Sequence, residues 1–440
     1  MNKITRRTAL RALAAGVAAP MVYRTHATAA PSETLYHASF GADGMGASDW
    51  GALTASPHVK LVAVAEVDAG RIARVKKSFP DVKVYSDWRE LLDREKNLNS
   101  ANISTPDHMH AAISLRAMRQ GINVYTQKPL TQTVAESRLM TEVAAGAKVV
   151  TQMGIQVHAD KKHRTCVALI QSGVIGKVKE VHSWSGKTWG DQNPRPDRKD
   201  DVPANFDWDK WLGVAAERPF IKGYYHPGEW RKRLDFGTGT FGDMGCHILD
   251  PVFSSLALAA PKTVKSSGEE AHADSWGLET AVTFVFPETK YTTDNVTLYW
   301  TNGKRRPPEN VVKHLGDHKL EFQGSIYIGT EGVLYSPYDG GRMPILLPEE
   351  KYRDHKDLPS LPSENHYMQF VDACRGKGTT GAPFSFAGPM TESILLGCLS
   401  TRFPEKALEW DAAKLKFTNE ASANKYVRRE YRKGWEVKGL

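Results

Sequence analysis

Leu35-Tyr-His-Ala-Ser-Phe-Gly-Ala-Asp-Gly-Met-Gly46 is the stretch that decides how this chain folds. It reads as a short buried strand, a glycine-rich turn and a helix opening near Gly46. Glycines let a backbone approach a bulky anion closely. A helix N-terminus adds N–H groups that no intrahelical carbonyl uses. Strand, turn and helix in this order suit the pyrophosphate of a dinucleotide in a Rossmann unit. The match to G-x-G-x-x-G is partial. Gly41 and Gly46 fill the first and third positions, Asp43 stands at the second, and Gly44 and Met45 complete the loop. Alone, such a loop is more often just a tight turn, so the flanking chain has to decide.

The flanking chain alternates strand and helix to about Gly154. Lys60–Glu66 is a continuous apolar run ending in an acid, as a parallel strand buried on both faces should be. Lys83–Ser86, Ala101–Ser104, Ile122–Thr126 and Lys148–Met153 are further strands, with helices between them. That alternation predicts an α/β fold with a doubly wound parallel sheet, whose ligands bind beyond the carboxyl ends of the strands. Glu66 falls there, 20 residues after Gly46. An acid at that point bridges the adenosine ribose hydroxyls and favours NAD over NADP, while Arg71 nearby keeps NADP open. Lys128 also falls there. Pro129 fixes the turn after it and aims the lysine over the sheet top, where it can bond a hydroxyl being oxidised.

After about Gln156 the pattern changes. His158–Ser172 reads as a helix and Val178–Trp184 as a strand. Residues 188–202 read as loop, and Glu279–Phe286, Val296–Tyr299, Gly324–Ile328 and Gly332–Tyr335 as strands. This predicts a second α/β domain with an open, mostly antiparallel sheet. Residues Glu364–Thr401 look helical around a loop at Gly376–Pro389. Trp184, Trp189, Trp208, Trp211, Trp230, Tyr224 and Tyr225 concentrate aromatic rings, which serve as platforms for sugars or as ordinary packing. The expected domains are 31–155 and 156–404, with a tail at 405–440 packing back on the core.

A second constellation is Gly237-Thr-Gly-Thr-Phe-Gly-Asp-Met-Gly-Cys-His-Ile-Leu-Asp250. A helix is expected to start at Gly242 or Asp243. Asp243, His247 and Asp250 would then share one face, which suits polar substrate binding and a proton relay. The same residues could ligate a metal with His158 or His182. No H-x-x-x-H or acidic cluster supports that, and no metal is expected.

Bulk properties exclude several classes. The formal charge is +8, and residues 1–30 hold Lys3, Arg6, Arg7, Arg11 and Arg24 with no acid; taking those five away leaves +3. A balance that small gives no footprint for nucleic acid. Thr5-Arg6-Arg7-Thr8 with the small apolar run through Val22 and Ala27-Thr28-Ala29 reads as a twin-arginine signal peptide, which implies the twin-arginine export machinery as a partner and a periplasmic or secreted location. No later stretch is long and apolar enough for a membrane span. Four cysteines without C-x-x-C spacing offer no zinc or disulfide framework.

The chain resembles the Gfo/Idh/MocA oxidoreductases (relatives of glucose–fructose oxidoreductase and inositol dehydrogenase), with a likeness to their secreted branch. The carriers are Gly41–Gly46, Thr105–His110, Gln127–Leu130, Gly154–Gln156 and Gly242–Asp250, and the likeness spans nearly all of the mature chain. The resemblance implies hydride transfer with NAD or NADP on sugars, cyclitols or other polyols. It implies Lys128, Asp243 and His247 as catalytic residues, with Thr105, Pro106, His108 and Gln127 near the nicotinamide, and a homo-oligomer formed through the open sheet. Two departures stand out: Gln127 replaces the usual glutamate before the lysine, and Asp43 replaces a glycine. Removing that glutamate's charge would lower the pKa of Lys128. Export adds a constraint, because free NAD is scarce outside the cytoplasm. A nucleotide held through turnover is the simplest answer, cycling between two substrates or serving a glycosidase or lyase through transient oxidation. A catalytically silent carbohydrate-binding relative is the reading from another class.

Overall fold

The computed structural model describes residues 33–272, 274–354 and 358–440; the twin-arginine pattern and the Ala27-Thr28-Ala29 site lie outside them. Six parallel strands form the first sheet: β1 (Leu35–Phe40), β2 (Val59–Ala65), β3 (Lys83–Tyr85), β4 (Ser100–Ile103), β5 (Asn123–Gln127) and β6 (Thr151–Gly154). Their order is β3-β2-β1-β4-β5-β6. The chain therefore reverses direction across the sheet between β1 and β4, and the crevice at that switch point opens above the Gly41–Gly46 turn. Every residue of β4, β5 and β6 is buried, and polar side chains among them are held by hydrogen bonds, as Asn102 is by His37 at 2.9 Å and Gln127 by Asp49.

The second sheet has nine strands: β7 (Val178–Ser185), β8 (Thr263–Gly268), β9 (Thr280–Pro287), β10 (Thr292–Asn302), β11 (Gln323–Gly329), β12 (Val333–Pro337), β13 (Ile345–Leu347), β14 (Ala407–Asp411) and β15 (Lys416–Phe417). The order is β13-β12-β11-β7-β10-β9-β8-β14-β15, with β7 and β10 parallel and the remaining pairs antiparallel. Along β9, Thr280, Val282, Phe284 and Phe286 are buried and the residues between them are half-covered. One face of the sheet therefore meets helices Gly239–Leu256 and Phe384–Ser400, through contacts such as Phe241 stacked on Trp300 at 4.7 Å and Phe253 edge-on to Phe286 at 5.6 Å. Truncating a buried phenylalanine such as Phe284 to alanine would cost about 3–5 kcal/mol.

Three boundaries differ from the sequence reading. The helix expected at Gly242 begins at Gly239, whose φ of +63° lets the chain turn tightly into it against Trp276. The loop expected to run to Pro389 ends at Pro383. Pro389 lies inside the Phe384–Ser400 helix, and the neighbouring Gly388 carbonyl accepts a bond from Ser137. The helix expected from His158 starts at Lys161, after a short 3-10 turn. Beyond β15 the chain returns to the first domain: Tyr431 donates to Glu136 at 2.6 Å, and Arg89 stacks over Trp435 at 3.8 Å. Among the described residues no helix is long and apolar enough to cross a membrane.

Candidate active site

A cavity of about 520 Å³ lies between the carboxyl ends of the first sheet and the second domain. That is a size typical of small-ligand sites. Its nucleotide-like end is built by the turn after β1. Gly41 has φ +104°, and a Cβ there would meet the Ser104 carbonyl at 2.8 Å. A Cβ on Gly46 would lie 2.4 Å from the Gly41 carbonyl, so Gly46 is what lets helix Met45–Leu53 seat on the turn. Gly46 does not itself line the cavity, whereas Gly41, Gly44 and Met45 do. Gly44 (φ +56°) has nothing within 4 Å of a Cβ position and caps the helix with no side chain. The first N–H groups of that helix are therefore free for an anion.

Glu66 follows β2 and also lines the cavity. Its carboxylate accepts from the backbone N–H groups of Ala42 and Asp68, each at 3.0 Å, tying the glycine turn to the second strand. Burial raises its pKa, against those two bonds. Asp43 is accounted for by Arg71. The guanidinium Nη1 reaches the Asp43 carboxylate at 2.9 Å, while its Nε reaches Asp68 at 3.2 Å. The charge that would repel a pyrophosphate is turned to a counter-ion, and Arg71 is engaged by two carboxylates.

The other end is built where β5 meets the second domain. Lys128 Nζ lies 2.6 Å from Asp243 Oδ1 and 3.3 Å from the Asp243 carbonyl. Burial pushes the Asp243 carboxyl up, but the Lys128 ammonium together with Arg231 outweighs it and holds the group down at about 2. One turn along the helix, His247 lines the same cavity. Burial, reinforced by Lys128, pushes its pKa well below the usual imidazole value, so the ring is neutral. Its side chain has no hydrogen-bond partner among the described residues. Asp107, on the cavity wall, accepts from Thr238 at 2.9 Å. Burial pushes it up to about 7, although Arg231 and Lys128 oppose that.

Several expected residues sit elsewhere. Thr105, Pro106 and Gln127 line the cavity, but His108 does not. It points away from the cavity, where the ring is fully buried against Phe236 and its Nε2 faces the Trp211 carbonyl at 3.1 Å. Gln127 turns away from the lysine ammonium and donates to Asp49 at 2.9 and 3.0 Å. The charge beside Lys128 therefore comes from Asp243, not from position 127, and the expected effect of Gln127 on the lysine loses its basis. Asp250 shares the helix with Asp243 and His247 but lies deeper, paired with His158 Nδ1 at 2.9 Å. His182 stacks on Tyr299 in the second sheet. No group of three metal-ligating side chains occurs among the described residues. Of the aromatic cluster, Trp189, Trp211 and Trp230 line the cavity. Trp184 is buried against Tyr335, and Trp208 packs on Trp211.

The sequence did not single out Asp107, Arg231 or Asp49. Asp49 is a buried carboxyl raised to about 6 by burial, and it gathers donors from Ser104 (2.6 Å), Gln127 and Tyr367 (2.9 Å). His110 was quoted only as part of a motif. Its ring sits between the Pro129 and Thr105 carbonyls, at 2.8 and 2.9 Å, and burial lowers its pKa to about 4. The neutral ring donates to one of these carbonyls at a time and steadies the turn that presents Lys128.

Two family models match the chain. Residues 38–155 match the model described as oxidoreductase family, NAD-binding Rossmann fold, and residues 160–293 match its C-terminal alpha/beta domain. The chain belongs to the Gfo/Idh/MocA oxidoreductase family. Levoglucosan dehydrogenase of Pseudarthrobacter phenanthrenivorans is 23% identical over 187 residues, which is 42% of this chain and 40% of that protein. Inositol 2-dehydrogenase of Pseudarthrobacter chlorophenolicus is 31% identical over 155 residues, 34% of this chain and 45% of that protein. The matches thus span less than half the length of these two curated relatives. The WlbA dehydrogenase of Bordetella pertussis, solved with NADH and UDP-GlcNAcA, shares the fold at a TM-score of 0.60 and 12% identity, covering 86% of this chain and 99% of that one. The glycine turn, the uncapped helix and the Glu66 brace fit the dinucleotide of an NAD-binding Rossmann domain.

Proposed function

We propose that this protein is an exported NAD(P)-dependent oxidoreductase acting on a hydroxyl of a sugar or polyol, with its nucleotide held through turnover. The observation that carries the reading is one cavity with two ends. One end has the glycine turn and free helix N-terminus; the other has the Lys128–Asp243 pair beside a neutral His247. A nicotinamide bound between them supplies the hydride acceptor or donor. His247 takes the hydroxyl proton as the C–H bond breaks, because its ring is neutral and unpartnered. Lys128 donates a hydrogen bond to the oxygen as it becomes a carbonyl, and Asp243 fixes the direction of that ammonium. Run in reverse, the same groups protonate the new alkoxide. The dehydrogenase names of the two curated relatives support a polyol or sugar substrate.

Redox-neutral cleavage of a glycoside is the second reading, and Asp107 favours it. A carboxyl held near pH 7 on the cavity wall suits removal of a proton from carbon next to a transient ketone. We also assign a homo-oligomer in which the half-covered face of the second sheet is paired. The test of the main reading begins by denaturing purified mature protein and assaying the supernatant for NAD(H) and NADP(H). Stoichiometric nucleotide is expected; protein that carries none overturns the held-cofactor reading.

A further inference from the structure

Arg231 and Lys187 are two cations of this cavity that no mechanism has used; a third, Lys210, is paired with Asp207 at 2.8 Å. Both belong to the second domain and both line the cavity. The Arg231 guanidinium sits 4.3 Å from the centre of the Trp230 ring and 5.7 Å from that of Trp189. Its Nε lies 3.6 Å from Asp243, a carboxylate already in closer contact with Lys128 at 2.6 Å. Its terminal nitrogens make no hydrogen bond among the described residues. Lys187 follows β7 and is exposed. Its ammonium has no acidic partner among the described residues, yet it is close enough to bear on the His247 ring.

The charge balance at this end is uneven. Lys128, Lys187 and Arg231 are three cations, and Asp243 is the one carboxylate there held firmly ionised; Asp107 is pushed up to about 7. A nucleotide pyrophosphate does not explain the excess. Its cradle follows β1, whereas Lys128 follows β5, two strands away in the order β1-β4-β5. At one strand spacing each, that is about 10 Å across the sheet. Arg231 is placed beside Lys128 by their shared neighbour, since its Nε lies 3.6 Å from the Asp243 carboxylate that Lys128 contacts. A neutral sugar would leave the positive charge that Asp243 does not match without a counter-charge. A planar guanidinium steadied by indole rings is suited to a carboxylate, which it grips with two parallel bonds.

We propose that the substrate carries a carboxylate, held by Arg231 with Lys187, so that the sugar is a hexuronate or a related sugar acid. This rests on the sugar-oxidoreductase reading above. A phosphate on the sugar is the other source of negative charge, and the test separates the two. Cofactor absorbance of the purified, nucleotide-loaded protein is followed against hexuronates, the matching neutral hexoses and hexose phosphates. The expected KM for the uronate is about tenfold or more below that of its neutral partner, the scale of one charge-assisted contact. Lys187→Gln and Arg231→Lys are each expected to bring the uronate-to-hexose KM ratio back toward one, with a smaller change in kcat. Equal KM values for acid and neutral sugars overturn the proposal, as do phosphates that outcompete uronates. If no sugar of any class changes the absorbance, the oxidoreductase reading fails by itself. Tryptophan fluorescence on adding uronate then decides the anion site: saturable quenching weakened in Lys187→Gln upholds it, and no binding overturns it.

Discussion

Replacing Lys128 by methionine removes the cation that keeps Asp243 ionised under cover. The displacement of that carboxyl from 3.8 to about 2 is worth about 2–3 kcal/mol at roughly 1.4 kcal/mol per unit. It is a net figure, because burial works against the lysine. The two side chains are only 15% and 12% exposed, so solvent screening removes little of it. Breaking such a pair on one side leaves an uncompensated charge, and about 3–5 kcal/mol of stability is expected to go. The double variant Lys128→Met/Asp243→Asn removes both charges. It should recover about 2–3 kcal/mol relative to the sum of the singles. Urea unfolding of the four proteins at pH 7 measures this. The sign with pH also follows. A depressed carboxyl contributes stability above 3.8 that is lost as pH falls toward 2, so the gap between parent and Lys128→Met should narrow over that window. Both single variants should lose about 10²–10⁴ in kcat, the scale of positioned acid–base catalysis. Strict additivity in the unfolding cycle would refute the pairing as the source of Asp243's ionisation.

Three further outcomes follow from the same geometry. Gln127→Glu places a second carboxyl against buried Asp49, raised to about 6; it should destabilise the protein, and the loss should grow as pH rises through 6, read by thermal melts across pH 5–8. Glu66→Ala unties the glycine turn from β2; equilibrium dialysis of nucleotide-stripped protein should show NAD binding about tenfold weaker or worse, and unchanged affinity would remove Glu66 from the site. Asp107 has a raised folded-state pKa of about 7, so its ionisation lowers stability as pH climbs from 3.8 to 7. Asp107→Asn should flatten that slope in urea titrations and remove any activity limb near pH 7.

Much of this arrangement is legible in the sequence because it is local. The apolar run of β2, the glycines after β1 and the Asp243/His247 spacing are patterns of one strand, one turn and one helix. Lys128 and Asp243 could each be singled out, but their direct contact could not, since it joins residues 115 apart. The Asp49–Tyr367 bond spans 318 residues and leaves no local signature. His108 was misplaced for a helical reason. It is one residue beyond Asp107, so it points about 100° round the helix, into the wall rather than the cavity. The role of Asp43 was hidden because its partner Arg71 arrives from beyond β2.

The most direct test of the central claim is spectroscopic. Purified, nucleotide-loaded protein is mixed with a panel of sugars, polyols and sugar acids while absorbance near the reduced-nicotinamide band is recorded, beside Lys128→Met and His247→Ala. The account predicts that the parent's bound cofactor changes redox state with at least one class of sugar, and that both variants keep the nucleotide but lose the response. A bound nucleotide that answers to none of them, or a Lys128→Met protein that responds as the parent does, would contradict it.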